Sequence, residues 1–204
     1  MVNIRQSDIA KKLKVSRITV SKALRDHPDI SAAMKKKVSA AAKKMGYFPN
    51  LIATQLNSGK THTIGIVVPD LENSFFSYVV DSMIDYATEN DYHTILAVSR
   101  ERENVELQNI ENLIGMRVDG LLVCNSQETR DNKIYSQIKK MKIPLVFFDR
   151  VVSEHGFPSV VFDDYNGAIE SLGAIIEAGF TKIACFSGYQ SLSIGKERLN
   201  GYLE

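Results

Sequence analysis

Apolar residues recur at helical spacing in three short stretches of the first 48 residues. Ser16 is a favourable N-cap between the first two stretches, and Gly46 is a natural stop after the third, which begins at Ser31. The pattern predicts a helix-turn-helix followed by a third helix, and the small Ala10 suits the close helix crossing that so tight a turn imposes. The residues predicted to face the core are Ile9, Ala10 and Leu13, then Val20, Ala23 and Leu24, then Met34, Val38, Ala41 or Ala42, and Met45.

From Thr63 onward the period changes. Short apolar runs with few charges alternate with amphipathic stretches, which is the pattern of buried parallel strands joined by crossover helices. The sequence therefore predicts an open α/β sheet. The predicted strands are residues 64–68, 94–98, 120–124, 144–148 and 159–162, and the predicted helices are residues 76–89, 105–116, 133–140, 167–178 and one from about residue 193.

Charge is divided unequally between these two parts. The first 60 residues carry 13 Lys or Arg and three acidic residues, a net charge of +10, whereas the remaining residues carry 12 basic and 21 acidic ones, a net charge of −9. This asymmetry predicts an anionic partner for the amino-terminal part, either nucleic acid or an anionic membrane. A membrane-surface helix needs a broad continuous apolar face, and the three short helices offer none, so nucleic acid is favoured.

The second predicted helix leaves one stripe of side chains outside the core: Arg17, Ile18, Ser21, Lys22 and Arg25. Arg and Lys hydrogen-bond the acceptors of guanine, and an apolar group packs on the thymine methyl, so the stripe suits a major groove of DNA. A merely solvated basic face is the alternative interpretation. The lysines on the outside of the third helix suit phosphate contacts, although solubility alone would also account for them.

Residues 49–59 form a further short pattern of fewer than three helical turns, which is marginal as an isolated helix. In combination with the motifs around it, the chain resembles the LacI/GalR family of bacterial repressors from about residue 5 to its last residue. The motifs that carry the resemblance are Asp8-Ile9-Ala10, Val15-Ser16, Thr19-Val20-Ser21, Gly46-Tyr47 with Pro49-Asn50, Ile64-Gly65 with Pro69, Val118-Asp119-Gly120, and Arg198-Leu199 with Gly201-Tyr202.

The resemblance implies a homodimeric transcriptional regulator that binds a palindromic double-stranded DNA operator. We expect this regulator to be a repressor. Its second helix would enter the major groove, its hinge helices would pair in the minor groove, and Leu56 would wedge between base pairs. One departure concerns Lys14, which stands in the turn where the family often has Gly, and a positive φ is expected there. The expected DNA-binding residues are Ser16, Arg17, Ile18, Thr19, Ser21, Lys22, Arg25, Asn50, Ala53 and Leu56.

The implied fold is an all-α helix-turn-helix DNA-binding head followed by an α/β periplasmic-binding-protein-like domain, an open parallel sheet that is incomplete at the C-terminus. The expected domains are the head (residues 1–48), a hinge helix and linker (49–62), the first lobe of an effector-binding domain (63–162) and the start of its second lobe (163–204). Because the chain stops inside a helical pattern at Glu204, the sequence is interpreted as a truncated piece of a longer repressor.

Polar and aromatic residues follow the predicted strands, and open α/β sheets bind ligands outside the carboxyl ends of their strands. Such groups suit the hydroxyls and the apolar face of a sugar effector. The resemblance singles out Phe75, the Asp149-Arg150 pair and Arg198, although Asp149 could serve only to cap a loop and Arg198 could pair with Glu197 or Glu204. The expected effector-binding residues are Asp70, Ser74, Phe75, Asn125, Asp149, Arg150, Asp164 and Arg198.

Enzyme classes find little support in this sequence. The four histidines are scattered, no nucleophile, phosphate-loop or dinucleotide motif is present, and no metal or cofactor is expected. Cys124 and Cys185 lie in or beside apolar runs without metal-like spacing and are expected to be buried, reduced thiols of a cytoplasmic protein. Two rivals stay open: a helix-turn-helix fused to a sugar-phosphate isomerase-like domain, and a plain solute-binding or enzymatic α/β domain with an incidental basic head.

Overall fold

The computed structural model describes residues 4–48, 59–130, 133–152 and 156–204. The chain divides into two compact units, Met1–Gly59 and Lys60–Glu204. Each unit has its own buried cluster of apolar side chains, so each is described by itself.

The first unit contains three helices: α1 (Gln6–Leu13), α2 (Arg17–Leu24) and α3 (Ala32–Met45). The Ser16 hydroxyl caps α2 by accepting a hydrogen bond from the Thr19 amide at 2.9 Å, and Gly46 ends α3 with φ at +68°. These helices confirm the predicted helix-turn-helix and third helix. Their shared core comprises Ile9, Ala10, Val20, Ala23, Val38, Ala41 and Ala42, with Leu13, Leu24, Met34 and Met45 packed against it.

The turn between α1 and α2 bears out the expectation for Lys14, whose φ is +53°. A side chain in this left-handed region costs about 1 kcal/mol or more relative to glycine. At the other end of α1, the Asp8 carboxylate accepts a hydrogen bond from the Arg5 amide at 2.8 Å. The helix-turn-helix is thus fixed at its ends by caps as well as by its apolar core.

The second unit is built on a parallel five-stranded sheet in the order β2-β1-β3-β4-β5. Helices connect the first four strands, so the open α/β sheet that the sequence predicted is confirmed. The strands are β1 (Thr63–Val68), β2 (His93–Val98), β3 (Gly120–Val123), β4 (Leu145–Phe148) and β5 (Ser159–Val160), and the helices are α4 (Ser74–Glu89), α5 (Glu103–Gly115), α6 (Lys133–Met141), α7 (Asp164–Glu177) and α8 (Ser193–Leu203).

Helices cover both faces of this sheet. Phe76 and Val80 of α4 pack with Ile66 and Val68 on one face, whereas α5 and α6 pack on the other face around Val67. Gly65 is required by this second layer, because a Cβ there would lie 2.8 Å from a methyl carbon of Leu121. The loops that follow the carboxyl ends of the strands lie at the edge where open α/β sheets bind ligands.

Three differences from the sequence-based expectations have local causes. α4 and α7 begin earlier than predicted because Asn73 and Asp163 act as N-caps, each accepting a hydrogen bond from a backbone amide in the first turn. The last strand covers only Ser159–Val160 and is exposed, since within the described residues it pairs with β4 alone. Cys185 is exposed, so its expected burial was wrong, whereas Cys124 is buried as expected.

Candidate functional site

The outer stripe of α2 is presented to solvent. Ile18 is 69% exposed, whereas Val20 and Ala23 of the same helix are buried. Arg17 and Arg25 are also exposed, and Ser21 and Lys22 are half-buried. An exposed apolar residue flanked by cations is the combination that base readout in a major groove uses.

Several members of this stripe are already held in place within the head. Lys22 Nζ donates to Asp29 Oδ2 at 2.6 Å, and this hydrogen bond together with the charge of Lys22 lowers the pKa of Asp29. Arg25 Nη2 donates to the Ser21 hydroxyl at 3.2 Å. Lys22 and Arg25 are therefore held against the head by surface contacts, which are individually weak.

Ser16 and Thr19 have a structural role that sequence reasoning assigned only in part. Besides capping the helix, the Ser16 hydroxyl lies 2.8 Å from the Thr19 hydroxyl, so the two side chains engage each other at the start of α2. Asn50, Ala53 and Leu56, the other expected DNA-binding residues, lie outside the described residues.

In the second unit, Arg150 is the hub of the loops at the carboxyl end of the sheet. Its Nη1 donates to both carboxylate oxygens of Glu101, at 3.0 and 2.9 Å, and to the backbone oxygen of Asn125 at 3.1 Å. The guanidinium also lies 5.8 Å from the centre of the Phe76 ring. One arginine thereby connects the ends of β2, β3 and β4 with the start of α4.

Asp149, at the end of β4, adopts a positive φ of +60°. Its carboxylate lies 3.7 Å from Arg150 Nε and accepts from the Cys124 thiol at 3.8 Å. Burial raises the pKa of Asp149, against the opposing effect of the nearby Arg150 charge. A strained backbone and a partly desolvated carboxylate at a strand end are typical of a binding site.

Asn125 belongs to a buried polar network behind this edge. Its Nδ2 donates to Tyr135 Oη at 2.6 Å and to Glu106 Oε1 at 3.2 Å. Glu106 is fully buried, and burial raises its pKa although Tyr135, Thr129 and the Ser126 amide all donate to it. The network fixes the loop after β3, while Asn125 Oδ1 is buried without a hydrogen-bond partner among the described residues.

Asp164 and Arg198 pair across the two helices of the last segment, with Arg198 Nε 2.8 Å from Asp164 Oδ1. The expected alternatives for Arg198, pairing with Glu197 or Glu204, are thus not adopted. Asp164 and Arg198 both act electrostatically on Asp149, so the structure brings this pair close to the Asp149-Arg150 cluster. A cavity of about 600 Å³ lies along them and is lined in part by Phe162, Ser171 and Tyr202.

The remaining expected effector residues flank this cluster at the start of α4. The Phe75 ring packs edge-on against Phe76 and Phe162, at centroid distances of 5.2 and 5.8 Å. Asp70 makes a local contact, accepting from the Asn73 amide at 2.9 Å, and Ser74 is exposed. Phe75 therefore supplies an aromatic surface, whereas the contacts of Asp70 are those of a turn.

A second cavity, of about 690 Å³, lies between α4 and the sheet and is mostly apolar, with Ile66, Val79 and Met83 in its lining. It holds none of the charged groups at the strand ends, so it does not suit a sugar. Within the described ranges, no helix is long and apolar enough to cross a membrane, and no cluster of three metal-ligating side chains occurs.

Sequence reasoning missed Glu101 and Glu106, and each left a signal. Glu101 follows β2, whose carboxyl end shares the ligand edge with the other strands, but the loop after β2 was not considered. Glu106 stands four residues before Ile110 and seven before Leu113, in register with the buried stripe of α5. A charged residue at a core-facing position of a helix indicates either that the helix face was assigned wrongly or that the residue joins a buried polar network. Glu106 joins a buried polar network.

Two family models match the chain. One, described as bacterial regulatory proteins of the lacI family, matches residues 7–50, and the other, described as periplasmic binding proteins and sugar binding domain of the LacI family, matches residues 61–204. Catabolite control protein A of Priestia megaterium is 31% identical over 92% of the chain. The probable HTH-type transcriptional repressor ExuR of Bacillus subtilis (strain 168) is 32% identical over 100% of the chain.

The chain spans 56% of the length of the first of these relatives and 60% of the second. Among solved structures, the lac repressor dimer bound to operator and the anti-inducer ONPF superposes with a TM-score of 0.84 at 24% identity. That alignment covers 98% of this chain and 61% of the repressor chain, and at this identity it supports the fold.

Proposed function

This chain belongs to the LacI family of bacterial regulatory proteins, and on that premise we propose that it acts as a sequence-specific DNA-binding transcriptional repressor controlled by a sugar or related small metabolite. One observation carries the proposal: α2 is capped by Ser16, packed by Val20 and Ala23, and presents Ile18 to solvent between cations. A helix that is buried on one face and exposes a base-reading combination on the other suits the recognition position of a helix-turn-helix.

The partner is a palindromic operator bound by a homodimer. Twofold symmetry in the protein requires matching half-sites in the DNA. Arg17, Ile18, Ser21, Lys22 and Arg25 read the major groove in this proposal, while the segment with Asn50, Ala53 and Leu56 enters the minor groove, where Leu56 wedges a base step. The name of the ExuR relative and the operator in the lac repressor complex are consistent with this role.

The effector occupies the edge of the sheet formed by Asn125, Asp149 and Arg150, with Phe75 as an aromatic platform and Asp164 with Arg198 at its margin. Support comes from the convergence of loops after three strands on Arg150 and from the partly buried carboxylate of Asp149. This function requires no catalytic step and no cofactor. A protein with this function acts in the cytoplasm, where the bacterial DNA lies.

The decisive experiment is selection of bound duplexes from a random DNA pool, repeated with two variants. Ile18→Ala should change the preferred bases at one position of each half-site, at about 1–3 kcal/mol per disrupted base contact. Lys36→Ala, on the exposed face of α3, should weaken all sequences about equally because it contacts phosphate at most.

The selected sequences should form a palindrome. A pool that stays random with the wild-type chain, or an Ile18→Ala variant that weakens every sequence equally, would contradict the assignment of α2 as the reading helix.

A further inference from the structure

We propose that Glu101 is a specificity-determining residue that makes the effector site select uncharged, hydroxyl-rich ligands and reject phosphorylated or carboxylated sugars. The inference rests on the effector site proposed above and deepens it by naming the ligand class. Glu101 accepts hydrogen bonds from Arg150, a cation of that site, through both of its carboxylate oxygens.

The charged side chains of the site are already paired with one another. Arg150 is paired with Glu101 at 2.9 Å and lies 3.7 Å from Asp149, and Arg198 is paired with Asp164 at 2.8 Å. The two arginines are thus matched by three carboxylates, and the cluster has a net negative charge. An incoming phosphate or carboxylate would meet Glu101 and Asp149 at close range, and low-dielectric surroundings strengthen that repulsion.

The ion pairs around Arg150 are largely buried. The Arg150 side chain is 12% exposed, as is that of Asp149, and the Glu101 side chain is 25% exposed. A pair held this far from water is not readily opened by a competing anion, because the displaced Glu101 would need a new partner. Arg100 and Arg102 flank Glu101, but they are exposed, and a hydrated surface cation attracts an anion only weakly.

The Arg150 guanidinium can still donate hydrogen bonds to a ligand. Among the described residues its hydrogen bonds all fall on Nη1, and Nε is buried without a hydrogen-bond partner at 3.7 Å from Asp149 Oδ2. Nη2 therefore remains as a donor to a neutral hydroxyl oxygen. Asp149 supplies an acceptor for a hydroxyl proton. A donor beside an acceptor matches a sugar hydroxyl that gives one hydrogen bond and takes another.

Glu101 is also held from its other side. Its Oε2 accepts from the Gln127 amide at 2.7 Å, so the carboxylate joins the loop after β3 to Arg150. Substitution by Gln preserves size and one carbonyl oxygen, removes the charge and replaces the second acceptor oxygen with an NH2 donor. The variant Glu101→Gln therefore removes the electrostatic repulsion, and Glu101→Asp, which keeps the charge on a shorter side chain, controls for loop positioning.

The test is titration of the chain with inorganic phosphate and, separately, with glucuronate, followed by calorimetry at constant ionic strength. The wild-type chain should show no saturable binding of either anion in the millimolar range. Glu101→Gln should bind phosphate at least tenfold more tightly, because Arg150 loses its nearest carboxylate and the cluster loses its net negative charge. Glu101→Asp keeps the negative charge and should behave as the wild type, and thermal unfolding verifies that each variant is folded.

Glu111→Gln is the matched control, since it removes the same charge from an exposed position of α5. Saturable phosphate or glucuronate binding by the wild type, or equal anion affinity in Glu101→Gln and Glu111→Gln, would overturn the role of Glu101. Neither result affects the selection of DNA sequences, so a failure here is distinguishable from a failure of the proposed repressor function.

Discussion

At the scale of single residues, the side chains that matter most in the second unit hold backbone in place. Asp119, within the Val118-Asp119-Gly120 motif, accepts hydrogen bonds from the amides of Thr61 and His62 at 2.8 and 2.9 Å and from the Thr61 hydroxyl at 3.0 Å. It thereby fixes the segment that leads into β1. The motif has a structural reason here, which is the anchoring of the entry to the sheet.

Asp119→Asn should lower the free energy of unfolding by about 1–2 kcal/mol at neutral pH, because an amide replaces one of the charged acceptors. Burial raises the pKa of Asp119, but the hydrogen bonds from Thr61 and His62 outweigh it and lower the pKa below its ordinary value of 3.8. The contribution is therefore full above the unfolded-state pKa and is lost as the pH falls through the lower folded-state pKa.

Denaturant titrations between pH 7 and the acid limit would measure this loss. The difference in the free energy of unfolding between wild type and Asp119→Asn should shrink at acid pH. Asp85→Asn, on the exposed face of α4, is the control and should change the free energy of unfolding little at any pH. A difference that is constant with pH would contradict the assigned role of the carboxylate.

At the scale of elements, α8 depends on close approach to its neighbours. A Cβ at Gly201 would meet the backbone oxygen of Tyr165 and lie 2.9 Å from Ala168 Cβ, so α7 and α8 touch at this point. Tyr202, the next residue, donates its hydroxyl to the Ile183 backbone oxygen at 2.9 Å. The Gly201-Tyr202 motif therefore has two structural roles. Gly201 lets α8 pack against α7 where no side chain fits, and Tyr202 anchors α8 through a hydrogen bond beside that contact.

Gly201→Ala should destabilise the α7–α8 pair by about 1–3 kcal/mol, since overpacking against backbone forces the helices apart. Gly173→Ala is the matched control, because a Cβ at Gly173 of α7 meets nothing within 4 Å. That variant should stabilise α7 by about 0.5–1 kcal/mol through helix propensity alone. Amide hydrogen exchange within α7 and α8 distinguishes the two variants, because only Gly201→Ala should lower the protection of these helices. Equal protection in both variants would exclude a steric contact at Gly201.

At the scale of the whole molecule, the division of charge matters more than the total of +1. In the proposed function, the +10 of the first 60 residues attracts DNA from a distance, and the −9 of residues 61–204 discourages contact of that part with phosphates. Affinity for non-specific DNA should fall linearly with salt on logarithmic axes, with a slope of about −0.9 per neutralised phosphate.

Lys36→Gln combined with Lys37→Gln should make that slope shallower by about 0.9 for each phosphate that the variant no longer neutralises. Lys140→Gln combined with Lys196→Gln removes the same charge from the second unit and should leave the slope unchanged. Fluorescence anisotropy across a salt series measures both variants. A flat salt response of the wild-type chain would instead favour the rival solute-binding or enzymatic α/β class.

Local sequence determined most of the architecture. Apolar periodicity located the three helices of the head and the strands of the sheet, because burial of one helix face or of a whole strand leaves a repeating pattern. α4 and α7 begin before their apolar patterns do, because Asn73 and Asp163 cap them with side-chain hydrogen bonds. The same periodicity separated the exposed stripe of α2 from its buried face.

Tertiary structure alone decided the partners at the candidate ligand site. Arg150 and Glu101 are 49 residues apart and Arg198 and Asp164 are 34 apart, and no pattern along the chain specifies such pairs. A hydrogen bond or ion pair depends on distance in space, which the packing of parallel strands fixes after the chain has folded. The sequence by itself therefore determined which elements form and which faces they bury, and the fold decided which charges neutralise one another.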